Sequence, residues 1–350
     1  MCGATGTCCR GNANMRGPAS LQVFGIAAAL GAALLVSSAG RPGCTRSAEA
    51  TRTSTEEEVQ KGGNPSNGQG ESARKKSPLF APEVEIQSED YAEARKHFQT
   101  KLLRKGPSPQ EWSPVKLPAG VTEIEYPSGK LRLKAWMNRP ADETRKHPAV
   151  LFLHGGFAFD LDDWKVSKPY RDAGFVVLTP MLRAENGQPG AFTFFYDEVD
   201  DALAAASYLS EQPYVDADRM YVAGPSAGGT LALLAAMTSK RFRAAASFSA
   251  SPDQVLRFKH IKNAARNVPV DLSNPRELQM RSPLAYATSF KCPARIYYGT
   301  QEPHFRLTSQ RTAALAKERG LDVEAIQVKG NHSTSVPPAI KQSIAFFQKK

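Results

Sequence analysis

Beyond residue 44 this 350-residue sequence contains a single cysteine, Cys292; the other four, Cys2, Cys8, Cys9 and Cys44, all stand ahead of it. A disulfide framework inside the folded region is therefore excluded. Cysteine and histidine at metal-ligand spacing are missing too, since Cys8-Cys9 has neither that spacing nor histidine partners, so no metal and no cofactor is expected. There is no internal repeat. No basic run is interleaved with aromatic residues, and the net charge of +11 does not by itself point to nucleic acid. The first 80 residues hold nine Lys/Arg against five Asp/Glu, which leaves an excess of seven spread thinly over the rest. No nucleic-acid partner is expected.

One long apolar run is present. Residues 17–40 carry no charge and lie between Arg16 and Arg41, long enough to span a bilayer or to serve as an export signal. Ser37-Ser38-Ala39 resembles a small-residue cleavage site, which ranks a cleaved signal peptide above a retained membrane anchor. The expected location is outside the cytoplasm, periplasmic or extracellular, with an N-terminal tether if the run is kept. Met15, just ahead of Arg16, is read as the true start. Residues 41–80 are rich in Thr, Ser, Glu, Lys, Gly and Asn and hold too few large apolar side chains to offset the entropy of ordering, so they are expected to form a disordered linker.

From residue 81 to 350 the pattern is that of one domain. Helical spacing predicts a helix over 88–104, ended by Gly106-Pro107, and two strand-like runs over 121–126 and 131–137 read as an antiparallel hairpin. Strands and helices then alternate to the C-terminus. Such alternation implies a mostly parallel central sheet with helices on both faces, with ligands binding beyond the carboxyl ends of the strands.

Within that series, Gly224-Pro225-Ser226-Ala227-Gly228 lies between an apolar strand and an Ala/Leu-rich helix. A serine between two glycines at this spacing fits a sharp strand-to-helix turn that presents its hydroxyl above the sheet. A serine hydroxyl needs a base to become a nucleophile. His332, in Gly330-Asn331-His332, follows the last strand, and Glu302 stands at the exit of the strand before it, where a carboxylate could orient the imidazole. Asp253, after the strand 244–248, is the alternative acid, with an Asx turn or helix cap as its competing role. The backbone N–H of Ala227, at a helix start, is the first expected oxyanion donor; the second is the N–H of Gly156 or Phe157, in the turn after strand 149–153. His154, at that strand's end, is read as structural. The order serine, acid, histidine is that of the α/β-hydrolase fold.

The run from Pro213 to Gly229, the helix 197–209 before it, Arg281-Ser282-Pro283 and Lys291-Cys292-Pro293 together resemble the catalytic domain of the prolyl oligopeptidase family and the related dienelactone hydrolases, over roughly 121–350. The resemblance implies a serine hydrolase working through an acyl-enzyme. Two departures stand out: Glu302 replaces the family's usual Asp, and the stretch ahead of residue 81 is too short for the oligopeptidases' propeller. A small to medium carboxylic ester is therefore ranked above a short peptide as substrate, and a non-catalytic relative last.

Overall fold

The hairpin expected from Pro127-Ser128-Gly129 forms the outer edge of the sheet: β1 (Val121–Ser128) and β2 (Leu131–Asn138) pair antiparallel along their full length. Gly129, with φ +57°, supplies the left-handed backbone of the tight connection. The coordinates are a computed structural model, which describes residues 84–259 and 268–350. The start site, export run and linker expected over residues 1–80 lie outside the described residues. Among the described residues no helix is long and apolar enough to cross a membrane.

The sheet has eight strands in the order β1-β2-β4-β3-β5-β6-β7-β8, with β3 (His147–Phe152), β4 (Val176–Pro180), β5 (Val215–Pro225), β6 (Ala244–Phe248), β7 (Ala294–Gly299) and β8 (Val323–Val328) parallel to one another. β2 joins through an antiparallel pairing with β4. β4 and β6 are buried along their whole length, and β3 from Ala149 to Phe152 and β5 from Met220 to Gly224, because helices cover both faces. This is the mostly parallel sheet that the alternation predicted, in the α/β-hydrolase fold expected from the order of serine, acid and histidine.

One apolar layer holds α1 (Tyr91–His97), α4 (Glu198–Ser210), α5 (Ser226–Thr238) and part of α7 (Pro303–Glu318); the other holds α2 (Leu161–Val166), α3 (Lys168–Asp172) and α8 (Val336–Gln348). The helix α5 is buried from Ala227 to Met237 without a polar face. Such a helix must be enclosed. It packs on β5 and β6 below and is covered by α1, α4 and the 3-10 segment Pro283–Ser289.

The helix expected over 88–104 is much shorter. Asp90 caps α1 by accepting from the N–H groups of Ala92 and Glu93, but the chain is extended at Phe98. The reason is tertiary: Lys101 N–H donates to the Glu277 carboxylate at 2.9 Å, Leu103 N–H to the Pro269 carbonyl at 2.7 Å, and Leu102 pairs with Val270. Backbone groups committed to distant partners cannot close helical turns. The apolar spacing beyond His97 is read by an extended chain instead.

Candidate active site

Sequence and backbone geometry meet at residue 226. Ser226 sits at φ +50°, a left-handed conformation that a non-glycine residue adopts only where the surroundings hold it there. The flanking glycines make that possible. A Cβ on Gly224 would lie 2.5 Å from the Leu153 carbonyl oxygen, and one on Gly228 would collide with the carbonyls of Leu153 and His154. The turn is thus pressed directly against the end of β3, with room for hydrogen atoms only.

His332 follows β8, and its Nε2 lies 3.1 Å from Ser226 Oγ. Its Nδ1 lies 2.8 Å from Glu302 Oε1, so the Nδ1–H tautomer donates to the carboxylate and leaves Nε2 to accept the serine proton. The structure therefore brings together the three side chains that the sequence singled out from three loops. Glu302 is held on its other oxygen by the Ser249 hydroxyl at 2.7 Å and the Gly299 N–H at 2.6 Å. Burial alone pushes its carboxyl up, but the hydrogen bonds from His332, Gly299 and Ser249 outweigh that and hold it below the usual glutamate range. The extra methylene relative to Asp is accommodated by folding the side chain back over the end of β7. A Cβ on Gly299 would stand 2.9 Å from Glu302 Oε2.

Asp253 is not part of this cluster. It is buried at the start of α6 (Gln254–Lys259), where it accepts from Leu256 N–H at 3.0 Å and from Val84 N–H at 3.2 Å. That is a capping role. Of the expected oxyanion donors, Ala227 N–H lies in the first turn of α5, where an N–H has no acceptor within the helix. Phe157 N–H donates to Gln110 Oε1 at 2.8 Å, and Gly156, at φ +68°, turns the backbone beside it.

The pattern of sequence gave no warning of what supports this turn. His154 is buried, and burial alone would lower its pKa, but the Glu185 carboxylate 2.9 Å from Nε2, the nearby Asp163 and the Gly155 carbonyl 2.9 Å from Nδ1 raise it to about 10. Asp163, itself raised to about 6 chiefly by burial, accepts from Gly155 N–H. Thirty-one positions separate His154 from Glu185 and no motif links them. Behind Phe157 stand the rings of Phe192, Phe194 and Phe195, with centroids 5.1, 5.9 and 5.6 Å away. Phe194 and Phe195 both have positive φ. Their loop is pinned from below, where Glu198 accepts from Thr193 N–H at 2.6 Å and buried Arg281 donates to the Thr193 carbonyl while paired at 2.7 Å with Glu277.

A scan against protein families matches the model described as "Prolyl oligopeptidase family" over residues 163–349. The chain belongs to the prolyl oligopeptidase family. Among curated relatives, this family member is 27% identical over 190 residues to the uncharacterized peptidase YtmA of Bacillus subtilis, covering 51% of this chain and 72% of the relative. It is 29% identical over 125 residues to dipeptidyl-peptidase 5 of Aspergillus fumigatus, but covers only 17% of that protein and 32% of its own length. Similar solved structures include the acylaminoacyl peptidase of Pyrococcus horikoshii (22% identity, TM-score 0.55, 66% of this chain and 41% of that one) and a hyperthermophilic esterase from Pyrobaculum calidifontis (22%, TM-score 0.54, 67% and 86%). At that identity the structural likeness speaks for the fold alone. The family and its peptidase relatives make this oligopeptidase-family chain a serine hydrolase.

Proposed function

We infer that Ser226, His332 and Glu302 form the catalytic triad of a hydrolase that works through an acyl-enzyme, with small to medium carboxylic esters as substrates. The observation that carries this reading is the unbroken chain Ser226 Oγ, His332 Nε2, His332 Nδ1, Glu302 Oε1, with steps of 3.1 and 2.8 Å. Ser226 Oγ attacks the acyl carbonyl carbon as its proton passes to His332 Nε2, and the imidazolium so formed is stabilised by Glu302. Negative charge gathers on the carbonyl oxygen, facing the N–H of Ala227 and that of Phe157 or Gly156. His332 then returns the proton to the departing alcohol. Water, deprotonated by the same nitrogen, releases the acid and restores Ser226.

The family match favours a second reading, a serine peptidase acting on short peptides. Both use the same machinery and differ in the leaving group. The test is a fluorophosphonate probe followed by a paired series of p-nitrophenyl esters and peptide p-nitroanilides, with Ser226→Ala as control. Ser226-dependent labelling with ester turnover dominant supports the first reading, and dominant anilide turnover supports the second. Folded protein that shows no Ser226-dependent labelling sinks both. Export belongs to the same proposal and rests on the uncharged run 17–40; N-terminal sequencing of protein recovered outside the cytoplasm tests it, and recovery from the cytoplasm alone refutes it.

A further inference from the structure

The chain from Gly106 to Trp112 crosses the turn that carries the second oxyanion donor. Pro107 and Pro109 fix φ on either side of Ser108 and remove two N–H donors, so this segment runs as a stiff strap without secondary structure of its own. It is anchored at several points. The Gly106 carbonyl accepts from Phe192 N–H at 3.0 Å, Ser108 N–H donates to the Ala184 carbonyl at 2.9 Å, and the Ser108 hydroxyl donates to the Phe157 carbonyl. Farther along, the Trp112 ring lies against Gly187, where a Cβ would stand 3.2 Å from it.

Between these anchors the Gln110 side chain turns toward the Gly156-Phe157 backbone. Its amide oxygen accepts from Phe157 N–H at 2.8 Å and sits 2.5 Å from where a Cβ on Gly156 would be. An amide oxygen is a neutral acceptor with the same carbonyl geometry as an ester or peptide substrate. Two oxygens cannot take the same position on one N–H. The main-chain anchors of the strap do not involve the Gln110 side chain, so the amide can leave by rotation about its own bonds while the strap stays seated.

We propose that Gln110 is an internal competitor of the substrate's carbonyl oxygen: at rest its amide occupies the Phe157 oxyanion donor, and it turns away when an acyl group is transferred to Ser226. This rests on the triad reading above. The occupied donor lowers the fraction of enzyme ready to react, and removing the amide raises it.

The experiment compares full-length wild type, Gln110→Ala and Ser226→Ala in the rate of fluorophosphonate labelling and in kcat/KM for p-nitrophenyl butyrate. Gln110→Ala is expected to raise both by about three- to tenfold, the scale of one neutral hydrogen bond. It should also speed hydrogen exchange at Phe157 N–H. Gln110→Met, similar in length but without an acceptor, gives the same expectation if the alanine variant folds poorly. Rates that stay level, or that fall while the unfolding temperature is unchanged, overturn the proposal, since the amide is then inert or assists the reaction. Labelling that is independent of Ser226 in every variant instead brings down the triad reading, and this proposal with it.

Discussion

Two histidine–carboxylate pairs stand near the carboxyl edge of this sheet, and they are chemically alike. His332 meets Glu302 at 2.8 Å, and His154 meets Glu185 at 2.9 Å. They differ in what the second ring nitrogen faces. In the first pair it faces the Ser226 hydroxyl, which can give up a proton, and the His332 side chain is 38% exposed. In the second it faces the Gly155 carbonyl, which can only accept, and the His154 side chain is 2% exposed. An imidazole with acceptors on both sides keeps two protons and becomes a fixed charge. One with an acceptor on one side and a hydroxyl on the other can cycle. The capacity for general base work therefore lies not in the pair but in its third partner.

The largest effects are expected around the His332–Glu302 pair. Ser226→Ala and His332→Ala are each expected to lower kcat by about 10^4- to 10^6-fold with the fold intact, and the double variant to be no worse than either single by more than a small factor. Steady-state kinetics decides, and a double loss equal to the product of the two would mean that they act separately. Glu302→Gln should lower kcat by about 10^2- to 10^4-fold with KM little changed, because the carboxylate acts mainly as charge develops on the ring. Near-normal turnover in that variant, together with a severe Asp253→Asn, would transfer the acid role to Asp253.

The fixed pair should respond in stability first. His154→Gln leaves the buried Glu185 carboxylate without its cation and is expected to cost about 3–5 kcal/mol in denaturant unfolding. A loss below 1 kcal/mol would show that this pair is not held as an ion pair. His154 is raised in the folded state from its ordinary value near 6.5 to about 10, so its contribution is fully present below pH 6.5 and is lost as pH rises through 10. Wild-type unfolding temperature should fall between pH 7 and 10 more than that of His154→Gln; equal slopes would refute it. The smallest effect is expected from Asp253→Asn, about 1 kcal/mol of stability from a weakened cap with kcat unchanged.

The parts of the site legible in the sequence are those written as local patterns. Gly224 and Gly228 announce the turn because no side chain fits there, and Glu302 and His332 stand out because each directly follows a strand of the parallel series. The His154–Glu185 pair was not legible, since it joins the end of one strand to the loop after another through tertiary folding alone. The strap through Gln110 was invisible for the same reason. In the fold, the alternation of strands and helices carries the architecture well, while α2 and α3 leave no periodic signal because each is only one to two turns long. The overlong helix at 88–104 shows the limit of periodicity: apolar spacing reports which side chains are wanted inside, not whether the backbone between them is free to coil.

The enclosure of α5 also bears on how the chain reaches its native state. A helix with no polar side is adhesive until it is covered, and part of its cover, Tyr91 and Ala94 of α1, is synthesised more than a hundred residues ahead of it. During translation the lid is made before the surface it shields. Chains lacking residues 91–97 would emerge with that surface bare, so their defect should show as concentration-dependent aggregation during refolding and as low soluble yield at synthesis.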